Sequence, residues 1–464
     1  MTSINVMLHL GLGSFHRAHQ AAYFQRLHEL GDAGWTLASG NLRADMAPVE
    51  AALIAQGGAY TLETVTPGGA RCYAKISAIR TVVPYDPGLA EVIRVGADAA
   101  TRIVSFTVTE AGYFLDANER LDFSFPDLVA DLEAARAGRP GATIYGAVTA
   151  ILRARSAGAG GKLTLLCCDN LRHNGTRFRS GLAQFIGLLD DAPLQAWCAA
   201  HTSCPNAMVD RITPRPTPAG RERVLAATGW DDAAPVMSES FTQWVIEDDF
   251  CNGRPAWEKA GVQMVESVAP YEEAKIRILN ASHSCVAWAG LLAGYQFIHE
   301  GMGDERIRRF AHDYVTGAVF ECLQASPVDL EAYRDVVFER FANAAIGDTN
   351  LRVAMDGFSK LPGFIVPTIR ERLARGLQVD SVAILPALFL LFLQRWHSGQ
   401  LGVTYQDQAM DLASVQAICS AADPLAAFCA ERLLWGELAG DARLLGALRG
   451  ASARVQAFAA GAAV

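Results

Sequence analysis

The opening of the chain constrains its fold more than any other part. The apolar stretch INVMLHL runs directly into the glycine-containing segment GLGSFH, which predicts a strand and a tight turn, followed by a helix from about Phe15 to Leu30. A second strand is predicted at Trp35–Gly40. Strand, helix and strand in this order form the opening unit of a parallel sheet with crossover helices.

Strand and helix continue to alternate through the first half of the chain. Buried strands are predicted at Arg102–Val108 and at Lys162–Asn170, and helices near 46–55, 88–95 and 142–154. Polar stretches follow three of the predicted strands, namely GLGSFHR, TEAGY and DNLRHNG. This alternation favours a doubly wound α/β sheet, in which ligands bind beyond the carboxyl ends of the strands.

The character of the sequence changes after the proline-rich stretch TPRPTPAGRER. One more strand is predicted over 241–248, and helical patterns then continue almost to the end. We therefore predict a dinucleotide-binding domain over residues 1–232, with strand 241–248 as a candidate extension of its sheet, and a mainly helical domain over residues 233–464.

The glycine segment admits three interpretations. Gly11 and Gly13 supply two glycines of the G-x-G-x-x-G pattern, but His16 occupies the third place. A pyrophosphate would lie at the positive end of a helix that begins near Ser14. The segment is equally compatible with an ordinary strand-turn-helix connection. A metal site is the least favoured interpretation, because no carboxylate or cysteine accompanies the histidines at ligand spacing. The histidines concerned are His9, His16 and His19.

The residues after the second strand leave the dinucleotide unspecified. An acidic side chain normally binds the adenosine ribose here, but the chain reads SGNLRAD, and its first carboxylate is Asp45. Arg43 would suit a 2'-phosphate. From these residues alone, NAD and NADP both stay open.

The stretch PYEEAKIRILNASHS carries the strongest candidate for chemistry. At about 100° per residue, a helix places Glu272, Lys275, Asn280 and His283 on one face, among small and apolar residues. In a structural interpretation, Glu272 pairs with Lys275, and the other two side chains bond to the backbone. In a functional one, the Lys275 amine is a general base on an alcohol, and Asn280 donates to the alkoxide that forms.

Composition excludes several classes of partner. The net charge is -9 and the Lys and Arg residues are scattered, which argues against binding to nucleic acid or an anionic membrane surface. The apolar run VAILPALFLLFL is shorter than the roughly 20 residues of a membrane span, so we predict a buried helix there. Ten cysteines without a C-x-x-C pair, and an N-terminus without an export signal, lead us to expect a cytoplasmic protein.

Eight blocks in order carry a resemblance to a known family: GLGSFHRAHQA, TVTEAGY, CDNLRHNG, MVDRITPRP, QWVIEDDF, RPAWEKAGV, PYEEAKIRILNASHS and KLPGF. Across essentially its whole length the chain resembles the long-chain polyol dehydrogenases, which include mannitol 2-dehydrogenase and the hexuronate reductases. The resemblance implies a zinc-independent enzyme with a Rossmann-type, doubly wound N-terminal sheet and a mainly α-helical C-terminal domain. It also implies that both domains contribute to the site.

The resemblance assigns catalytic roles residue by residue. The family's base lysine falls on Lys275, and its oxyanion asparagines fall on Asn280 and Asn170. Its substrate-orienting histidine matches His283, and its proton-relay glutamate matches Glu272. Two further positions match residues that hold substrate hydroxyls, and these are Arg352 and Lys360.

The resemblance also implies a cofactor and a substrate. NAD is expected, although the absence of the family's acidic pair from SGNLRAD keeps NADP as an alternative. The expected reaction is oxidation of D-arabinitol at C4 to D-xylulose, with a mannitol or hexuronate substrate and a non-catalytic dinucleotide sensor as alternatives. Monomer and dimer are not distinguished. The candidate cofactor-binding residues are Gly11, Gly13, Ser14, Phe15, Asn41, Arg43, Thr109 and Glu110.

Overall fold

The computed structural model of the chain describes residues 4–461 except 117 and 408. It divides into two units, one made of Met1–Thr66 and Ala70–Ala269 and the other of Pro67–Gly69 and Pro270–Val464. The sequence places the boundary at residue 232, whereas the division in the structure falls after Ala269. The reason is that the strands between these two positions pair with strands of the first unit.

The strands of the described part of the chain all belong to the first unit. In chain order they are β1 Asn5–Leu10, β2 Trp35–Gly40, β3 Tyr60–Val65, β4 Arg71–Ile76, β5 Ile79–Val83, β6 Thr101–Phe106, β7 Leu163–Cys167, β8 Thr202–Ser203, β9 Ala207–Asp210, β10 Val236–Glu239, β11 Gln243–Glu247 and β12 Gln263–Val265.

Six of these strands form one parallel sheet in the order β5-β2-β1-β6-β7-β8. Counted within the sheet, this is the order 3-2-1-4-5-6 of the Rossmann-type doubly wound fold. The order reverses between β1 and β6, so the loops after these two strands flank the position where such folds bind a dinucleotide. All five residues of β7 are buried, as expected for a strand covered by helices on both faces.

Helices connect the strands of the first unit, and the first of them differs from the prediction. Instead of one helix from Phe15 to Leu30, two helices meet at His19, whose backbone (φ -115°, ψ -83°) is not helical. Four helices of this unit were not predicted, namely Pro126–Arg136, Asn174–Gly187, Ala192–His201 and Pro218–Thr228. The α-helices of this unit are Ser14–Ala18, Gln20–Glu29, Ala47–Ala55, Ala90–Ala97, Pro126–Arg136, Ile144–Ala157, Asn174–Gly187, Ala192–His201 and Pro218–Thr228.

Two three-stranded sheets complete the first unit. One has the order β10-β3-β4 and the other β12-β11-β9. The strand predicted over 241–248 is present as β11, but it pairs with β9 and β12 rather than extending the six-stranded sheet.

The second unit is helical, as predicted. The helix Asp380–His397 packs against Ala442–Ala459 and buries the run from Val382 to Leu393 except the half-buried Leu391. No helix among the described residues is both long enough and apolar enough to cross a membrane. The α-helices after Ala269–Ala274 are Ala281–Ala293, Ile298–Gly303, Glu305–Tyr314, Phe320–Cys322, Leu330–Phe341, Asn350–Ala354, Gly357–Lys360, Val366–Ala374, Asp380–His397, Leu412–Ser420, Pro424–Ala430, Arg432–Trp435 and Ala442–Ala459.

Among the described residues of the second unit, three segments are π-helical, namely Lys275–Asn280, Val315–Val319 and Leu361–Ile365. In a π segment the backbone bond joins residues five apart, and such segments are rare and often functional. Two of the three contain or directly follow candidate site residues.

Candidate functional site

The glycine turn after β1 has the backbone of a phosphate-binding turn. Gly11 has φ 120°, and an added Cβ would lie 2.9 Å from Thr107 Oγ1, so any other residue would be strained there. Gly13 has an ordinary φ of -64°, and a Cβ added to it would meet nothing within 4 Å. Gly11 therefore serves the turn, and Gly13 leaves open space at the start of the helix Ser14–Ala18. This open position and the strand order fit a dinucleotide.

Two histidines lie stacked beneath this turn. The rings of His9 and His16 are 3.6 Å apart and nearly parallel, and both residues are fully buried. His9 Nδ1 lies 2.7 Å from Ser105 Oγ, and His16 Nε2 lies 3.0 Å from Ser39 Oγ. Burial lowers the pKa of His16 to about 3 and that of His9 well below its usual value, so both rings are neutral. His16 thus connects the helix to β2 in place of a glycine.

His19 has a structural role as well. Its Nε2 lies 2.9 Å from the backbone oxygen of Gln243, and its ring packs against Phe15 and Trp244. Among the residues that the structure describes, no group of three or more His, Cys, Asp or Glu side chains is arranged to hold a metal ion. The three histidines of the opening segment therefore contribute to packing and hydrogen bonding.

The two candidates after β2 have different roles. Asn41 is buried and braces the glycine turn: its Oδ1 accepts the Leu12 N–H at 2.9 Å, and its Nδ2 donates to Glu50 at 3.1 Å. Arg43 is exposed, and its Nη2 lies 2.9 Å from Asp127 Oδ2, at the start of the helix after β6. Asn41 thus shapes the turn, and a carboxylate from another segment already engages the Arg43 guanidinium.

A buried carboxylate, Asp169, shapes the loop after β6. It accepts the Thr109 N–H at 2.8 Å and the Tyr113 hydroxyl at 3.0 Å. Thr109 adopts φ 66°, an uncommon conformation for a residue with a side chain, and these bonds hold it there. Glu110 begins the 3-10 turn that follows, and its side chain lies outside the described part of the structure. Asn170, next to Asp169, is exposed.

In the second unit, Lys275 and Asn280 are the first and last residues of a π segment. A π-helix rotates less per residue than an α-helix, so these two residues, five apart, are closer to one face than α-helical geometry predicts. Lys275 is 6% exposed and Glu272 is 4% exposed, whereas Asn280 is half-buried. The π-helical backbone therefore lies between two of the four predicted members of the polar stripe, Lys275 and Asn280.

The carbonyls of this π segment have side-chain partners. The Tyr314 hydroxyl donates to Arg277 O at 2.9 Å, and the Ser282 hydroxyl donates to Ile278 O. Such donors satisfy backbone acceptors that lose their usual i+4 partner. The wider turn at Lys275 is therefore supported by its neighbours in the sequence and in space.

His283 lies in a charged cluster. Its Nε2 is 3.3 Å from Asp348 Oδ2, and its ring stacks on Phe341 with centroids 4.3 Å apart. Asp348 also holds Arg352, with three N to O distances of 2.6 to 2.8 Å. Burial lowers the pKa of His283 although the Asp348 carboxylate acts to raise it, so the ring is neutral beside an anion.

Lys360 ends a short helix next to the third π segment. Its Nζ donates to Val353 O at 2.7 Å. Burial and the nearby Arg352 lower the pKa of Lys360 to about 8, against the influence of the surrounding carboxylates. His283, Arg352 and Lys360 therefore influence one another electrostatically within the second unit.

Family comparison supports the interpretation of both units. Residues 5–259 match the family model described as the mannitol dehydrogenase Rossmann domain, and residues 267–456 match the mannitol dehydrogenase C-terminal domain. The chain therefore belongs to the mannitol dehydrogenase family, which confirms the predicted class of polyol dehydrogenase.

Individual relatives sharpen this assignment. The D-arabinitol 4-dehydrogenase of Ralstonia nicotianae is 58% identical over 455 residues, covering 98% of this chain and 97% of its own. That of Klebsiella pneumoniae is 51% identical, with 95% and 96% covered. Among solved structures, the Pseudomonas fluorescens mannitol 2-dehydrogenase ternary complex with NAD and D-mannitol is 34% identical, with a TM-score of 0.85 and coverage of 99% and 93%. This similarity confirms the predicted fold class.

Sequence reasoning missed several residues that organise these sites. Asp348 gives no motif signal, because it lies four residues before Arg352 in an irregular stretch. Asp169 is the first residue of the block DNLRHNG, and an aspartate directly after a buried strand is a usable signal for a site at the edge of the sheet. The brace from Asn41 to Glu50 joins residues whose contact depends on the turn between strand and helix.

Proposed function

We propose that the chain oxidises D-arabinitol at C4 to D-xylulose, reversibly, with NAD as the hydride acceptor. The observation that supports this most directly is the π segment, which presents a buried lysine and an asparagine five residues apart. High identity to two D-arabinitol 4-dehydrogenases along nearly the whole chain supports the choice of polyol.

Proton transfer in this proposal belongs to the helix of Lys275. The Lys275 amine removes the proton of the C4 hydroxyl, and Asn280 donates a hydrogen bond to the developing alkoxide. Asn170, in the first unit, is the second alkoxide donor that the family resemblance assigns. Glu272, one helical turn before the lysine and equally buried, carries the proton onward.

Binding of the dinucleotide belongs to the first unit. The turn from Gly11 to Phe15 holds the pyrophosphate, and the loop beginning at Thr109 lies at the neighbouring strand end. When bound, NAD accepts the hydride from the substrate carbon. NAD rather than NADP is favoured because Asp127 neutralises Arg43 and would repel a 2'-phosphate.

The cluster in the second unit positions the substrate. Arg352, Lys360 and His283 are donors or acceptors for the hydroxyls of a polyol. Arg352 already shares its charge with Asp348, which favours a neutral polyol over a hexuronate as the ligand. Removal of divalent metal by prolonged chelation should leave turnover intact, because a lysine is the base.

Steady-state rates test the proposal directly. NAD and NADP are each combined with D-arabinitol, D-mannitol, D-sorbitol and a hexuronate. The expected result is the highest kcat/KM for D-arabinitol with NAD, and D-xylulose as the product. A higher kcat/KM for D-mannitol or the hexuronate would overturn the substrate. NADH binding without turnover of any of them would favour the sensor function instead.

A further inference from the structure

One carboxylate, Asp348, contacts two of the proposed substrate-binding side chains at once. Its side chain is 9% exposed, and both of its oxygens receive the Arg352 guanidinium. One of these oxygens also lies 3.3 Å from His283 Nε2. Burying an ion of this kind costs free energy of desolvation. The arrangement of these three side chains therefore has an energetic cost.

The backbone around Asp348 is held from a second segment. Its carbonyl accepts the Ile298 N–H at 2.9 Å, and the next residue, Thr349, forms a β-bridge with Phe297. The Thr349 side chain caps the short helix that carries Arg352. These backbone contacts therefore fix the position of the Asp348 carboxylate, which can in turn hold His283 and Arg352 in place.

The charges in this group select one form of the histidine. Burial raises the pKa of the Asp348 carboxyl, but His283 and Arg352 lower it further than burial raises it, so the carboxylate is ionised. A neutral histidine beside an anion places its proton on the nitrogen that faces the charge. The contact is electrostatic, because Nε2 has no partner with hydrogen-bond geometry among the described residues. Nδ1 is then left as the acceptor.

We propose that Asp348 is a positioning residue of this enzyme: it keeps the His283 proton on Nε2 and anchors the Arg352 guanidinium, so that both groups are preset for the polyol hydroxyls. It contacts no reacting atom. Arg352 is 64% exposed, which leaves much of its surface open to a ligand. This inference rests on the proposed function in one respect, namely that His283 and Arg352 bind the substrate.

The first test compares two asparagine variants. Asp348→Asn removes the charge with little change in shape. The control, Asp304→Asn, removes another carboxylate of the second unit, 8% exposed and bound to Arg306 at 2.7 Å. For Asp348→Asn, kcat/KM for D-arabinitol should fall by roughly 10- to 100-fold, mainly through KM, with an unchanged Kd for NADH. For Asp304→Asn, kcat/KM should stay within about twofold, because a partly exposed ion pair contributes little and Arg306 is not a proposed site residue. Equal kinetic losses in the two variants would overturn the proposal.

Asp348→Glu provides the conservative comparison. It restores the charge on a longer side chain, so its kcat/KM should lie between those of the wild type and Asp348→Asn. If its kcat/KM were no higher than that of Asp348→Asn, the negative charge would not be the cause of the effect, and the proposal would fall.

The second test does not require turnover, and its only variant serves to assign the signals. The ¹⁵N chemical shifts of His283 in the wild-type protein, assigned by comparison with His283→Gln, report which ring nitrogen carries the proton. We expect Nε2–H at neutral pH. A proton on Nδ1 would overturn the proposal, even if D-arabinitol proves to be the substrate. Conversely, Nε2–H without polyol turnover would sustain the Asp348 contact while the proposed function failed.

Discussion

The two units use buried histidines in opposite ways. Beneath the glycine turn, His9 and His16 stack on each other and bond to hydroxyl groups of neighbouring strands. In the second unit, His283 lies against a carboxylate that also binds an arginine. Burial lowers the pKa of all three rings. Burial therefore keeps all three rings neutral, and the second unit adds a fixed ion beside the ring of His283.

In the proposed function, proton transfer belongs to the second unit. Replacing Lys275 by Met should lower kcat by about 10²- to 10⁴-fold, because the general base is lost. The Kd for NADH should stay unchanged, since the dinucleotide turn belongs to the other unit. Stopped-flow and fluorescence titration measure the two quantities, and Lys259→Met, at an exposed lysine, is the control. Retention of more than about a tenth of wild-type kcat would remove Lys275 from the base role.

Within the first unit, we expect Gly11 to affect stability and Gly13 to affect dinucleotide binding. Gly11→Ala should cost about 1–3 kcal/mol of unfolding free energy, because of its positive φ and the close approach of Thr107. Gly13→Ala should leave stability unchanged, yet raise the Kd for NADH by roughly tenfold, because its Cβ enters the open space needed by a pyrophosphate. Urea unfolding and NADH titration of both variants provide the test. Wild-type NADH affinity in Gly13→Ala would argue against the phosphate turn.

The neutral side chains of His9 and His16 should make the first unit less stable at acidic pH. With the pKa of His16 lowered to about 3, the unfolded chain binds a proton below pH 6.5 that the folded chain does not. Stability is therefore lost as the pH falls from 6.5 towards 3, and His16 alone should cost about 2 kcal/mol at pH 5. Urea midpoints at pH 7 and pH 5 measure this loss. His16→Gln should show a smaller difference between the two pH values, and an equal difference would contradict the assignment.

The smallest expected effect concerns the dinucleotide. Asp127→Asn leaves Arg43 without its carboxylate, so the ratio of kcat/KM for NADP to that for NAD should rise by roughly three- to tenfold. Direct titration with NADPH and NADH should show the same change in Kd. Arg43→Ala is the matched control and should not favour NADP. An unchanged ratio in Asp127→Asn would mean that the ion pair of Arg43 and Asp127 does not influence the choice between NAD and NADP.

Much of the fold was predictable from local pattern. The order of strands and helices around β1, β2, β6 and β7 follows from runs of apolar residues, and these runs depend only on burial. The break at His19 was not predictable, because the residues around it have ordinary helical propensity. The ring of His19 bonds to a backbone oxygen more than two hundred positions away.

The candidate site was likewise only partly predictable from the sequence. Spacing along one helix placed Lys275, Asn280 and His283 on one face, but the π-helical turn from Lys275 to Asn280 was not predictable, because propensity does not reveal a π segment. That segment depends on hydroxyl donors that include Tyr314, on another helix. The roles of Arg352 and Lys360 came from resemblance alone and stay predictions.

By itself, the sequence determined the alternation of the first unit, the helical character of the second, and the set of candidate side chains for the chemistry. These properties follow from the order of apolar and polar residues and from residue type. The tertiary structure decided which histidines are structural, where Asp348 and Asp127 find their arginines, and how the helix widens at Lys275. Those outcomes depend on contacts between residues distant in sequence, whose energies no local pattern contains.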